Sequence, residues 1–495
     1  MAKNGKNSRL SPSRASTTVK STPASASQRR RILTTLTISL LLDLISFTLI
    51  LPLFPSVLGY YHAKETSPTS TLNRVFHYLN VYKNWFAKPI DSSYDIVLLG
   101  GAFGSLFSLL QAVASPVIGR LSDQHGRRKA LLCSLAGNIL SVGLWVGATD
   151  FRVFIASRVV GGLSEGNVQI ANSIITDISD EKQRGSAMAL VGACFSLAFI
   201  CGPVLGATLA NIPTTASNKF AMAAGVSLFL IALETIYVYF SLPETHPRLS
   251  RFHDPGPPAA TLVDKDKSRP RVPTVVNGDA SKASVNGDKS SSNAPRNRDI
   301  KVRMRNESAL KLVHLFFLLP FSGLEFSLPF LTATLYADQA SAMGPSASQT
   351  STLSPSALNG RLLSLMGLIA SLLQGTIVRR LPPIVNIRLG VVACTISFFL
   401  HARVDSMSGV YVAGIFLAVT SATVVTSINS LGSLGAPEGE RGIILGRLRS
   451  WGQVGRAVGP FLFCSLFWWA GREVAYMTGG VMMIGVVGAV FTVLK

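Results

Sequence analysis

Long apolar stretches recur along this 495-residue chain, and they limit what it can fold into. A helix needs roughly 20 apolar residues to cross a bilayer. Twelve stretches are candidates: one beginning at Ile32, then 95–118, 130–148, 151–175, 186–210, 220–241, 309–336, 357–378, 387–403, 410–431, 442–469 and 473–494. Within hydrocarbon each backbone polar group must be satisfied inside the chain, so each stretch is expected to be helical. The chain is therefore predicted to be an all-α membrane protein.

The composition excludes several other classes of protein. Hydrophobic residues make up 48% of the chain and charged residues only 14%, which is not typical of a soluble protein. The net charge is +21, but the cations cluster beside apolar stretches and not on a basic face with stacking aromatics, so nucleic acid is not an expected partner. The five cysteines lie in apolar stretches and are expected to pack there. We find no nucleophile and base set, metal-ligand cluster or phosphate loop, and we expect neither an enzyme nor a cofactor.

Two polar segments divide the chain into four parts. Residues 1–31 are predicted to be a disordered cytosolic tail, with a transit peptide as the alternative. Residues 32–241 and 308–495 are predicted to form two bundles of six helices each, joined by a disordered cytosolic linker at 242–307. Because short loops rich in Lys and Arg stay inside, both termini are predicted to be cytosolic. Two locations are consistent with the sequence: the plasma membrane and an intracellular membrane, vacuolar or of the endoplasmic reticulum.

An internal repeat supports two similar halves. The pair Arg-Gly at 184–185 recurs at 441–442, and the pair Gly-Pro at 202–203 recurs at 459–460. The run Ser-Leu-Leu-Gln at 108–111 recurs at 371–374. The repeat pairs Gln111 with Gln374, and both are included among the candidate cavity residues. Paired halves of this kind are typical of transporters whose substrate site lies near the midplane, between the bundles.

A short charged turn separates the second and third stretches. It contains Gly119, Asp123, Gly126, Arg127 and Arg128 in the pattern G-x-x-x-D-x-x-G-R-R. This run resembles the loop between helices 2 and 3 of the major facilitator superfamily. The resemblance implies twelve transmembrane helices in two pseudo-symmetric six-helix bundles, and transport by alternating access.

The carboxylate of Asp123 is expected to act at the cytosolic surface. The eleventh helix begins near Gly442, and a helix N-terminus offers unsatisfied N–H groups and partial positive charge. We predict that Asp123 docks there, positioned by Arg127 and by Asp177 at the end of the fourth helix, as the matching residues do in the family. The contact is worth about 1 to 2 kcal/mol and would close the cytosolic side. The alternative is an ordinary positively charged loop with a chance aspartate.

Four further segments resemble parts of members of the same superfamily. The run 42–52 resembles the first helix of tetracycline-exporter-like members, and 321–332 resembles the animal tetracycline-transporter-like branch. Arg158 and Gly162 match an R-x-x-x-G element of the fourth helix. A fourth segment resembles the antiporter signature G-P-x-x-G-G of the fifth helix, with Ala207 in place of the last glycine; its matching residues are Gly202, Pro203 and Gly206.

Ionisable residues deep in the spans are the candidates for coupling and substrate binding, because charge at that depth is costly. We predict Asp43 and Glu325 as proton carriers, one in each half, and Arg158 and Arg456 as countercharges or anion clamps. Glu234 is a further candidate. The alternative for each residue is static pairing that holds helices in register.

The sequence thus predicts a monomeric secondary transporter, most consistent with a proton-coupled exporter of small organic compounds or drugs, including organic anions. Its expected partners are the substrate, protons and the lipid bilayer. Two alternatives stay open: a uniporter or importer of a sugar or organic acid, and a membrane sensor or scaffold that does not transport.

Overall fold

The computed structural model describes residues 25–50, 53–65, 67, 69–85, 95–210, 212, 218–247, 249, 294–343 and 355–494. The α-helices are α1 Ala26–Thr48, α2 Phe54–Lys64, α3 Thr71–Lys83, α4 Asp95–His125, α5 Arg127–Val146, α6 Phe151–Ser164, α7 Asn167–Ile178, α8 Glu181–Ala210, α9 Ala221–Ser241, α10 Ala294–Met343, α11 Pro355–Leu373, α12 Pro383–Ala402, α13 Met407–Leu434 and α14 Arg441–Val493. A π-helical turn, Gln374–Val378, continues α11.

Ten helices in this part of the chain are long and apolar enough to cross a membrane. One of them, α14, consists of two passages, because Gly471 has a φ of +87° and breaks the helix. The short helices α6 and α7 follow each other with only Glu165 and Gly166 between them and together form the fourth passage. The described residues therefore form the twelve passages that the sequence predicts. The protein is an all-α, multi-pass membrane protein.

Each half has its own apolar core. Side chains from α1, α5, α7, α8 and α9 form one buried cluster, from Ile32 to Leu242. Side chains from α10 to α14 form another, from Leu310 to Leu494. A third cluster closes the N-terminal half at the end opposite the α4–α5 turn, where Tyr61 donates a hydrogen bond to the carbonyl of Ala148 at 3.0 Å. The short helices α2 and α3, which the sequence did not predict as separate helices, contribute buried side chains to this cluster.

Two helix starts differ from the predicted boundaries. The first helix begins at Ala26 and not at Ile32, because Ser25 and Gln28 form a capping box that satisfies the first amides. Likewise α10 begins at Ala294, inside the predicted linker. Residues 26–31 and 294–307 are thus helical, not disordered. Most of the remaining tail and linker lies outside the described residues.

Glycines set the distance between helices in both halves. A side-chain carbon at Gly202 would overlap the hydroxyl of Thr48, and one at Gly206 would overlap the carbonyl oxygen of Leu49, so α8 packs directly on the end of α1. In the second half, Gly459 has the same relation to Leu319 of α10. Pro203 lies inside the continuous helix α8, next to Gly202. The pseudo-symmetry therefore extends to these packing contacts.

This packing predicts a large effect of one methyl group. Gly206→Ala places a carbon against backbone of α1 that cannot rotate away, so we expect a loss of about 1 to 3 kcal/mol of stability. The measurement is the unfolding midpoint of purified protein in detergent, followed by tryptophan fluorescence. Gly225→Ala is the control, since nothing lies within 4 Å of the added carbon. Equal midpoints for the two variants would contradict the packing argument.

Candidate functional site

The α4–α5 turn contacts the start of α14 in the other half. Gly442 donates its backbone N–H to Asp123 at 2.9 Å, and Ile443 donates to the other carboxylate oxygen at 2.7 Å. A side chain at Gly119 would overlap the carbonyl oxygen of Gly442, so the approach requires glycine at both positions. The carboxylate thus satisfies two orphan amides at the helix N-terminus. We call this contact, with the arginine network around it, the latch, and this end of the bundle the latch end.

A buried charge network supports the latch. Arg127 is fully buried and donates to Asp123 at 2.7 Å and to Asp177 at 2.8 Å. Asp177 also accepts from Arg441 of the other half at 3.1 Å. Arg441 in turn donates to the carbonyl of Thr176 at 2.9 Å. The two carboxylates and two arginines therefore join the end of α7 and the turn after α4 to the start of α14.

The repeated Arg-Gly pairs make reciprocal contacts between the halves. Arg184, at the start of α8, donates to the carbonyl of Ser433 at the end of α13, at 3.1 Å. Arg441, at the start of α14, makes the matching contact with Thr176 at the end of α7. Each arginine therefore caps a helix of the opposite half, where the last carbonyls lack partners. These contacts close the space between the halves at the latch end.

Glu244 is a latch residue that the sequence analysis did not assign. Its carboxylate accepts from the backbone N–H groups of Arg127 at 2.8 Å and Arg128 at 3.2 Å, so it caps the start of α5. Gly126, with φ +98°, leaves room for it. Arg128 donates to the carbonyl of Tyr239 and lies over its ring. The spacing Pro-Glu-Thr after an apolar span was the available signal.

His246 follows Glu244 and donates its backbone N–H to that carboxylate at 2.8 Å. Partial burial, and then the positive charge of Arg127, lower the pKa of His246 below its ordinary value of about 6.5. The imidazole is therefore neutral at pH 7. The hydrogen bonds and ion pairs of the latch named above are made by carboxylates, arginines and backbone groups.

A small cavity of about 40 Å³ lies inside the N-terminal half. Asp43, on α1, borders it and accepts a hydrogen bond from the amide of Asn167 at 2.9 Å. Glu165, in the break between α6 and α7, accepts from the amide of Asn138 at 3.0 Å. The helix break therefore places a second carboxylate in the same cavity as the first. Glu165 is not among the site residues predicted from the sequence, although an acid followed by glycine within an apolar span was a visible signal.

A third acid lies beside this cavity. Glu234 of α9 is fully buried and accepts from the hydroxyl of Ser39 at 2.6 Å. It is close enough to Asp43 and Glu165 to interact with both electrostatically. Its second carboxylate oxygen makes no hydrogen bond within the described part of the chain. Three carboxyl groups held by neutral donors therefore share one low-dielectric region.

Arg158 lines the same cavity on the side of the aromatic cluster. Its guanidinium lies 5.7 Å from the ring centre of Trp145 and 5.5 Å from that of Phe154, and it donates to the hydroxyl of Ser157 at 3.2 Å. No carboxylate among the described residues forms an ion pair with it. Arg158 is thus a cation held by aromatic faces and available to an anion.

The C-terminal half contributes charges that face the other half. Glu325 and Arg456 form an ion pair of 3.3 Å, with about 40% of each side chain exposed (39% and 41%). Phe326, next to Glu325, approaches Gly101 of α4 in the N-terminal half. Arg449, two turns before Arg456 on α14, is close enough to Glu165 and Asp43 to interact with both. Arg449 is likewise not among the predicted site residues, although it lies inside a predicted span.

The two paired glutamines occupy different environments. Gln374 lies in the interface between the halves, where it accepts from Ser196 at 3.2 Å and donates to the carbonyl of Ala422 at 3.3 Å. The side chain of Gln111 on α4 is buried, with 6% of the residue exposed. The backbone carbonyl of Gln111 accepts a hydrogen bond from the hydroxyl of Ser115, one turn later. Neither side chain lines the cavity of Asp43. The structure therefore places these two residues apart from the acids and Arg158.

Comparisons with known proteins agree with this architecture. The family model described as Major Facilitator Superfamily matches residues 36–460. The chain is 32% identical over 461 residues to the major facilitator superfamily domain-containing protein 10 of Mus musculus, covering 92% of this chain and 91% of the mouse protein. It is 34% identical over 146 residues to the class E tetracycline resistance protein of Escherichia coli, covering 30% of this chain and 35% of that protein.

A solved structure has the same architecture over nearly the whole chain. The crystal structure of the human organic anion transporter MFSD10 (TETRAN) superposes with a TM-score of 0.71 at 26% sequence identity, covering 93% of this chain and 99% of the human one. Twelve passages in two similar halves, a charged latch between them and a family match over most of the chain lead to one conclusion. The protein belongs to the Major Facilitator Superfamily of membrane transporters.

Proposed function

We propose that this transporter exports small amphipathic organic compounds that carry an anionic group, in exchange for protons, with both termini in the cytosol. One observation carries the proposal: Asp43, Glu165 and Arg158 line the same cavity, which has a volume of about 40 Å³ in this state. The cavity therefore offers groups that can take up a proton and a cation that can bind an anion. The human relative of known structure supports the substrate class, since it is described as an organic anion transporter.

The acids are held so that both protonation states can be accommodated. The side-chain amide of Asn167 donates a hydrogen bond to Asp43. The oxygen of the same amide, Oδ1, makes no hydrogen bond within the described residues. A rotated amide can therefore accept a hydrogen bond from the protonated acid. Burial of a carboxylate without a paired cation also favours uptake of a proton. These features fit proton carriers better than a static ion pair.

Exchange requires that proton and substrate compete. Amine or N–H groups of a bound compound can donate to Asp43 or Glu165 only when the carboxylates are free of the proton, while the anionic group of the compound binds Arg158. Arg449 from the other half is close to the same acids in this state. Separation of the halves at the latch end would withdraw that charge. The latch and the acids would thus be coupled through α14, which carries both Gly442 and Arg449.

The ion pair between Glu325 and Arg456, in the second half, has a secondary role in proton coupling. Glu325 and Arg456 neutralise each other at 3.3 Å in this state, so Glu325 becomes available to a proton only when Arg456 moves away.

The relatives named tetracycline resistance proteins support export as the direction of transport; the similarity to one of them covers 30% of this chain. The latch residues Asp123, Arg127 and Asp177 would then keep the cytosolic side closed while the cavity exchanges its contents with the opposite side.

Removing the acids should uncouple transport from the pH gradient. We expect Asp43→Asn and Glu165→Gln to abolish substrate-driven proton movement in proteoliposomes that contain a pH-sensitive dye, because neither side chain can carry a proton. Glu473→Gln, an exposed acid at the opposite end, is the control and should behave as the parent protein. Proton movement in the same direction as the substrate would contradict exchange and favour the importer.

The arginine should determine the charge of the substrate. Arg158→Gln should raise the KM for anionic substrates by roughly 10-fold or more, since a hydrogen bond to a charged group is worth about 1.5 to 3 kcal/mol. The KM for uncharged analogues should change little. Arg152→Gln, on the same helix and exposed, is the matched control. An equal effect on charged and uncharged compounds would show that Arg158 is only structural.

Weakening the latch should change the balance of access states. Asp123→Asn removes the charge that two amides of α14 bind, and a loss of about 1 to 2 kcal/mol shifts the equilibrium roughly 5- to 30-fold away from the state closed at the latch end. We expect slower transport at unchanged expression, and faster labelling of a cysteine placed in the cytosolic cleft. Asp405→Asn, in an exposed ion pair with Arg472, is the control. Unchanged flux and labelling would remove the latch from the mechanism.

A further inference from the structure

A second, open groove lies at the latch end, between the start of α1 and the end of α9. Its volume is about 680 Å³. The polar residues that line it include Ser27, Arg30, Arg31, Thr35, Tyr237 and Ser241. It is separate from the cavity of the acids, and the latch does not use it.

The groove is positively charged and has unused donors. Arg30 and Arg31 are exposed, and neither forms an ion pair in the part of the chain that the structure describes. No acidic side chain lines the groove. Tyr237 and Ser241 of α9 line the groove together with these arginines of α1. Guanidinium groups and hydroxyls can both donate hydrogen bonds to the oxygens of a phosphate group.

An apolar surface continues from the groove toward the middle of the membrane. Ile236, Leu233 and Phe229 on α9 are 57%, 43% and 64% exposed and follow one face of that helix. On α1, Ile38 is 40% exposed, one turn beyond the polar residues of the groove. A ligand with a phosphate group and hydrocarbon chains would therefore match both parts of this surface.

We propose that the groove binds the headgroup of an anionic phospholipid from the leaflet at the latch end. Basic pockets between transmembrane helices are sites of this chemistry. Inorganic phosphate shares the charge of the headgroup but has no hydrocarbon to cover the apolar face of α9. The groove therefore selects the lipid over the free anion.

The position of the groove gives the lipid a structural consequence. A 2.6 Å hydrogen bond from Ser39 to Glu234 joins α1 to α9. Two residues of the groove lie close to this bond in sequence: Thr35 lies one turn before Ser39, and Tyr237 lies three residues after Glu234. A headgroup that contacts both helices would hold them together beside that bond. Bound lipid should therefore stabilise the N-terminal half.

The experiment is a thermal-unfolding titration of the full-length protein in detergent. Short-chain phosphatidylglycerol, short-chain phosphatidylcholine and inorganic phosphate are added in separate series. The variant Arg30→Ala/Arg31→Ala is compared with Arg379→Ala/Arg380→Ala, which removes two adjacent exposed arginines at the same end but outside the groove. Tyr237→Phe removes one hydroxyl and leaves the charge unchanged. Midpoints measured without lipid show that each variant is folded.

We expect phosphatidylglycerol alone to raise the midpoint in the parent protein and in the Arg379/Arg380 variant. In the Arg30/Arg31 variant its half-saturating concentration should rise by about 10-fold or more. Tyr237→Phe should weaken the effect less. An equal loss in both arginine variants would reveal only general surface charge and overturn the proposal. Stabilisation by inorganic phosphate equal to that by the lipid would overturn the choice of a lipid.

Discussion

The free-energy cost of a charge within the thickness of the membrane controls the arrangement of this protein. A buried ion is tolerated only where other charges or hydrogen bonds replace water. At the latch, Asp177 lies between Arg127 of its own half and Arg441 of the other, and its side chain is fully buried. Separation of the halves leaves this carboxylate with one arginine fewer. The same charges that close the latch end therefore oppose its opening.

The buried acids of the cavity are compensated in another way. Asp43 and Glu165 receive hydrogen bonds from the neutral amides of Asn167 and Asn138. Neutral donors stabilise a carboxylate less than an arginine does, so these acids can gain a proton at lower cost than Asp177 can. The protein thus contains two kinds of buried carboxylate. Those paired with arginine hold the halves together, and those held by amides are suited to change their charge.

The sequence predicts the fold well because hydrocarbon permits few alternatives. Spans of apolar residues give the twelve passages, and the repeat of Arg184 with Arg441 corresponds to reciprocal contacts between the halves. The turn motif placed Asp123 opposite Gly442, where the structure has the hydrogen bond. The prediction was less complete where a helix ends unexpectedly. The short helices α2 and α3 have 11 and 13 residues, too few to cross the membrane, so a search for spans does not find them.

The missing site residues have a similar cause. Glu165 becomes a cavity residue because the chain breaks between α6 and α7, and an apolar pattern does not reveal a break within one span. Arg449 is a charged residue in a predicted span, but Glu165 and Asp43, with which it interacts, lie in the other half of the chain. Residues so far apart in sequence cannot be recognised as neighbours from the sequence alone. Conversely, Gln374 repeats Gln111 in sequence yet lies in an interface and not in the cavity. A shared motif fixes the helix position of a residue but not its surroundings.

The two halves are therefore similar in backbone and unequal in charge. The turn between α4 and α5 supplies Asp123, whereas the matching turn, 379–383, contains two arginines and no acid. On one side, the carboxylates of Asp123 and Asp177 bind α14. On the other, Arg184 donates to backbone carbonyls, that of Ser433 in the other half and those of Thr176 and Ser179 in its own. A carbonyl acceptor binds a guanidinium more weakly than a carboxylate does. The contacts that resist opening are thus concentrated where α4 and α7 meet α14, although the repeat alone would suggest two equal sides.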